Sequence, residues 1–137
     1  MSKADRTVKQ VLVWRNDLRN TEGNKVRTGK IVAQLAHASM AAITTGAKME
    51  SGKMTISMTQ SMEKWLTGIF TKVAVVATDE DELLNIYHKA KAANIPCSLI
   101  LDSGLTEFGG KKTYTAVAVG PATNEVVDAI TGNLKLL

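Results

Sequence analysis

Three polar side chains interrupt an otherwise apolar, alanine-rich stretch, GKIVAQLAHASMAAITT, at residues 29–45: Lys30, Gln34 and His37. On a helix turning about 100° per residue they fall at about 0°, 40° and −20°, a single narrow stripe. An ammonium, an amide and an imidazole near a helix N-terminus suit an anionic ligand, because the first-turn N–H groups and the helix dipole favour negative charge there. The plainer reading is a partly solvated helix edge with His37 hydrogen-bonded in the core. Buried polar groups must find partners, so the alignment of three keeps both readings open. A second candidate is Asp102-Ser103-Gly104-Leu105-Thr106. Asp102 closes a short apolar run, on the sheet edge where ligands gather in α/β folds. A carboxylate there can hold a water or orient a base, and Thr106 can donate to an anion. An Asx turn, with glycine supplying positive φ, accounts for the same residues without function.

Other chemistries are excluded by spacing. GNKVRTGK at 23–30 has five residues between its glycines and Ile31 after the lysine. A phosphate-binding P-loop needs four, followed by Ser or Thr, so the P-loop is rejected, and no dinucleotide fingerprint follows the first strand. Ser39 and Ser103 lack the G-x-S-x-G setting of a nucleophile elbow. Cys97 falls inside a strand and reads as inert core. His88 reads as surface. The acids at 79–82 are adjacent helix-start residues, which do not face one another as a catalytic pair. No metal-ligand spacing is present.

These residues need a scaffold, and the chain is long enough for one. It has 137 residues, 45% hydrophobic and 22% charged, as expected for one domain with one proper core. No apolar run reaches the length of a membrane span, and the N-terminus lacks a secretory signal core. A single cysteine permits no internal disulfide, so a reducing, cytoplasmic setting is expected. The net charge is +4 but uneven. Residues 1–30 hold eight basic and three acidic side chains, +5, leaving −1 for the rest. A local excess of this kind favours a polyanionic partner, nucleic acid first; solvated surface lysines are the alternative.

Residues 1–8 are polar and expected to fray, leaving a domain over 9–137. KQVLVWR at 9–15 reads as a buried strand, 16–28 as a loop, and Gly29 to about Thr45 as the helix above. Residues 46–53 read as a loop. Met58, Met62, Trp65 and Leu66 suggest a helix at about 54–67, with Met54, Met58 and Met62 at core spacing. A strand at 70–77 follows. Thr78 is expected to cap a helix running to Asn94. Strands at 97–101 and 113–120 flank a glycine-rich loop, Pro121 is expected to open a turn, Thr123 to cap a helix through Ile130, and NLKLL to pack back as an extended segment. Helices between strands imply crossovers and a largely parallel sheet. The last two strands, joined without a helix, are the pair open to antiparallel pairing. The fold class is thus α/β: one three-layer domain, a mixed four-stranded sheet with helices on both faces.

RNDL, TGKIVAQLAHASMAA, LILDSGLT, TYTAVAVGPA and ITGNLKLL stand in the order found in the archaeal and eukaryotic type of peptidyl-tRNA hydrolase, which the chain resembles over roughly residues 9–137, interrupted at 46–68. The resemblance implies a mixed four-stranded sheet with helices on both faces. It also implies hydrolysis, without a cofactor, of the ester joining a peptide to the terminal ribose of tRNA. The family's lysine, glutamine and histidine fall on Lys30, Gln34 and His37, its aspartate and loop threonine on Asp102 and Thr106, and the threonine opening the last strand on Thr115. On this basis Lys30, His37, Asp102 and Thr115 are expected to be catalytic, and Gln34 and Thr106 to orient them. Arg19, Lys25, Arg27, Lys111 and Lys112 are expected to hold the tRNA backbone. A homodimer is left open. Three departures stand out: Leu105 where the family usually has arginine, Ser103 for alanine and Glu107 for glutamine. The loop between Asp17 and Gly29 is also longer, with Arg19 and Arg27 as candidates to replace the lost arginine. The alternative is a catalytically silent relative that binds RNA or a protein partner; turnover separates the two.

Overall fold

A computed structural model describes residues 6–137; residues 1–5 of the terminus expected to fray lie outside the described residues. The first strand begins one residue earlier than expected: β1 (Val8–Arg15) opens on Val8, which is buried. After a loop comes α1 (Thr28–Thr44), then β2 (Lys48–Glu50), β3 (Lys53–Thr55) and α2 (Gln60–Thr67). β4 (Lys72–Ala77), α3 (Glu80–Ala92), β5 (Cys97–Asp102), β6 (Thr113–Thr123) and α4 (Asn124–Thr131) complete the chain.

The main sheet has the order β4-β1-β6-β5. It is mixed, as expected, but not largely parallel: β1 runs parallel to β4 alone, while β6 is antiparallel to both β1 and β5. The crossover through α1 and α2 fixes the parallel pair. The helix-free connection from β5 sends β6 back down the middle of the sheet. The two faces sort by alternation. Val11, Val13, Val117 and Val119 pack with Leu83, Ile86 and Val127 of α3 and α4. Leu12, Trp14, Ala116 and Ala118 pack under Leu35, Ala38 and Ala42 of α1. The small alanines on β6 let α1 lie close to the sheet. The C-terminal segment covers the outer edge of β4, with Val76 N–H donating to Lys135 C=O and Leu137 N–H to Ala74 C=O, as a free edge requires.

Four local expectations are corrected. Residues 46–53 contain part of a hairpin, β2–β3, turning at Ser51 and Gly52, both at positive φ as a two-residue hairpin turn demands. α2 starts at Gln60, not 54, because Thr59 Oγ1 accepts from Met62 N–H and caps it there. Met62 is therefore core, whereas Met54 and Met58 are exposed. Pro121 opens no turn: β6 continues to Thr123, and the register against β1 skips at Gly120-Pro121, a bulge where a residue without an N–H is tolerated. The caps also differ. Asp79, not Thr78, caps α3 by accepting from Glu82 N–H, and Thr123 precedes α4 without a side-chain cap bond.

Candidate active site

Asp102 is the last residue of β5, and Lys30 lies in the first turn of α1. The fold brings them together although 72 positions separate them: Lys30 Nζ donates to Asp102 Oδ1 at 2.9 Å and to Thr106 Oγ1 at 2.9 Å. Both partners of the ion pair are largely shielded, with side chains 14% and 11% exposed. Gln34 Nε2 reaches the same Oδ1 at 3.4 Å. Gly104 N–H donates to Asp102 Oδ2 at 2.9 Å. The turn reading of this loop holds, and the turn is what aims the carboxylate at Lys30. Gly104 must be glycine for this, since its φ is +82° and a Cβ would stand 2.0 Å from Lys111 C=O.

A bulge in β6 completes the cluster. Ile100 pairs with Ala116 and Leu101 with Tyr114, so Thr115 is the extra residue. Strict alternation would turn Thr115 to the α3 face. The bulge turns it, beside Ala116, toward α1 instead. There Thr115 Oγ1 donates to Gln34 Oε1 at 2.5 Å, and this locks the amide with its NH₂ toward Asp102. Thr115 is fully buried and Gln34 nearly so.

Partial burial works against the Asp102 charge. It is outweighed by the hydrogen bond from Lys30, the Gly104 N–H, the Lys30 charge and the Gln34 amide, which together hold the carboxyl below its ordinary range. Asp102 is thus an ionised acceptor, not an acid. Oδ1 is filled by Lys30 and Gln34, whereas Oδ2 takes one bond and has a lone pair left. Lys30 uses two of its three N–H donors, leaving one. α1 has no acidic residue in its first turn and no side-chain cap, so nothing within the helix itself offsets its positive end.

The sequence profile described as "Peptidyl-tRNA hydrolase PTH2" matches residues 8–137. The chain belongs to this peptidyl-tRNA hydrolase family. It is 40% identical over 130 residues to a peptidyl-tRNA hydrolase of Methanocaldococcus jannaschii, covering 95% of this chain and 100% of the relative. It is 38% identical to one of Methanopyrus kandleri, covering 94% and 97%. A probable peptidyl-tRNA hydrolase 2 of Dictyostelium discoideum is 38% identical over 93% of this chain, which spans 54% of that longer relative. A solved structure of a protein of unknown function from Agrobacterium tumefaciens matches at TM-score 0.56 and 17% identity, covering 97% of this chain and 99% of that one, which speaks for the fold alone.

Of the residues that the family resemblance singles out, Lys30, Gln34, Asp102, Thr106 and Thr115 form one hydrogen-bonded unit. His37 stands one turn beyond Gln34, exposed and without a hydrogen-bond partner among the described residues. The cations divide. Arg27 Nε donates to the buried Glu107 at 2.5 Å, tying the long loop to the 102–112 loop, so its charge is matched. Among the described residues Arg19 donates only to the carbonyls of Asn16 and Leu18, and its backbone pairs with Lys25 across a narrow loop neck. Lys111 and Lys112 have no ion pair among the described residues and join Arg15, Arg19, Thr21 and Phe108 around a surface depression of about 420 Å³. Phe108 went unmarked in the sequence, where it reads as loop. Arg15 is itself neutralised by Asp17 and Glu80.

Proposed function

We propose that this chain hydrolyses the ester of peptidyl-tRNA, releasing peptide and tRNA, by direct attack of water. The observation that carries the reading is the single unit built on Asp102, Lys30, Gln34 and Thr106 in a chain of the peptidyl-tRNA hydrolase family. Water donates to the open lone pair of Asp102 Oδ2, which orients its oxygen toward the ester carbonyl carbon. The remaining Lys30 N–H and the positive end of α1 stabilise the oxyanion as it develops. Collapse breaks the bond to the ribose oxygen, which leaves with a proton, and the peptide leaves as a carboxylate. His37, exposed beside the cluster, carries protons between solvent and the reacting oxygens. Thr115 is a positioning residue: it is fully buried and acts through Gln34.

Arg19, Lys25, Lys111 and Lys112 hold backbone phosphates. Arg27 contributes less, since Glu107 already answers its charge. No cofactor enters these steps, and the reaction belongs with translation in the cytoplasm. Leu105, 81% exposed, takes no part in the cluster's hydrogen bonds, which form without it. The test is turnover of an N-acetylated aminoacyl-tRNA by the purified chain. Release of acid and deacylated tRNA, reduced about 100-fold by Lys30→Met, is the expected result for loss of one preorganised electrostatic group. Tight tRNA binding without release would mark a silent RNA-binding relative.

A further inference from the structure

The substrate in this reading is two-natured, a polyanion and a peptide joined at the ester, and the two flanks of the Asp102 cluster differ in the same way. The 102–112 loop leads from Asp102 to Phe108, Lys111 and Lys112 around the cationic depression. α1 leads from Lys30 and Gln34 around to an apolar groove of about 550 Å³ lined by Val32, Ala36, Met40, Trp65, Leu66 and Phe70. Val32 and Met40 are 61% and 66% exposed on the outward side of the helix, where polar residues are the rule. Among the described residues one cation stands at the groove, Lys72, with its ammonium 3.2 Å from the Phe70 ring centroid. A groove with a single cation suits no polyanion.

We infer that the groove between α1 and α2 takes apolar side chains of the peptide portion of the substrate, at the residues some way back from the ester. The inference rests on the hydrolase reading above, and helix geometry supplies the distance. Groove residues Met40, Ala36 and Val32 lie at about 280°, 240° and 200° when Lys30 is set to zero, with His37 and the small Ala33 between, at about 340° and 300°. An arc of about 120° on a helix of about 5–6 Å outer radius is about 12 Å, and with the axial rise of about 9 Å from Lys30 to Ala36 the path is about 15 Å, the span of about four extended residues. The esterified residue and its first neighbours therefore cross over His37 and Ala33. The fourth and fifth residues reach the groove, where apolar side chains leave water.

The experiment compares three substrates: N-acetylglycyl-tRNA, a pentapeptidyl-tRNA with leucine at the fourth and fifth residues from the ester, and the same with serine there. The variant is Val32→Gln with Met40→Gln, two exposed positions outside the cluster. The wild-type chain is expected to prefer the leucine substrate over the serine one. The variant is expected to lose about fivefold in kcat/KM on the leucine substrate, through KM, and to stay within about twofold on the other two. Equal losses on all three, or none, overturn the inference. So does a change in sedimentation that accompanies equal losses, which would make the groove a contact between copies. Binding of the N-acetylated leucine pentapeptide amide, read as NMR shifts at Val32, Met40 and Leu66, needs no turnover. Shifts there without hydrolysis of any substrate would reject the hydrolase reading and keep the groove. Hydrolysis without shifts would do the reverse.

Discussion

Thr115→Val removes one hydroxyl and almost no volume from the centre of the cluster. The hydroxyl is the donor to Gln34 Oε1, at 2.5 Å, and both residues are buried. In the variant that oxygen keeps no donor among the described residues, and rotating the amide would aim an oxygen at Asp102. An unmet buried acceptor costs about 1–3 kcal/mol of folding stability. The effect on rate is smaller, because Gln34 reaches Asp102 by a long bond of 3.4 Å while Lys30 and Gly104 still hold the carboxylate. Loss of one such net hydrogen bond is worth about 0.5–1.5 kcal/mol, or about 2- to 12-fold in kcat. KM is expected to stay within about twofold, since a fully buried residue does not meet substrate. Thr115→Ser keeps the donor and is expected to restore most of kcat. Steady-state kinetics with urea denaturation reads all of this. A loss carried by KM, a serine variant as slow as the valine one, or a fall of more than about 100-fold would each refute the reasoning; the last would put Thr115 against the reacting atoms.

Gly104→Ala forces a Cβ onto Lys111 C=O and a side chain into positive φ, so a stability loss of about 1–3 kcal/mol is expected, with a lower kcat as the N–H leaves Asp102; unchanged thermal unfolding would contradict the role given to this turn. Because Asp102 is held below its usual value of 3.8, its contribution to stability is present above that value and fades as pH falls through the lower folded value. Lys30→Met removes the chief support, so acid unfolding followed by circular dichroism is expected to set in at higher pH than in the wild type, and identical acid profiles would deny the pairing. Binding of tRNA through three to five phosphate contacts predicts a log–log salt slope of about −2 to −4. Neutralising Arg19, Lys111 and Lys112 together is expected to flatten that slope and raise KM several-fold, with kcat within about threefold; an unchanged KM would make them ordinary surface charges.

The elements with strong periodicity were legible beforehand. β1 is a continuous apolar run buried on both faces, while α1 and α3 each carry one buried face with glycine or capping residues near their ends. The β2–β3 hairpin was not, because its two strands are only three residues long and all six residues are exposed. Met54, Met58 and Met62 misled for the complementary reason: their helical spacing is incidental, and Thr59 alone decides where α2 begins. Strand order was also hidden, since nothing local says that β6 lies between β1 and β5. At the site, the stripe of Lys30 and Gln34 and the turn at Asp102 were readable from spacing. Thr115 was known only by resemblance, and its burial and its bond to Gln34 follow from a bulge that the alternation of TYTAVAV does not betray. Arg27 looked like a free cation until Glu107, 80 residues away, came to meet it.

The central claim is that this chain uses the Asp102 cluster to deliver water to the peptidyl ester. Hydrolysis of a peptidyl-tRNA in ¹⁸O-labelled water, with mass analysis of both products, tests it most directly. The account predicts one ¹⁸O in the released peptide carboxylate, none in the ribose of the tRNA, and a rate about 100-fold lower in Asp102→Asn, which keeps the shape but loses the charge. Label in the ribose, absence of release by the wild-type chain, or an Asp102→Asn variant as fast as the wild type would contradict it.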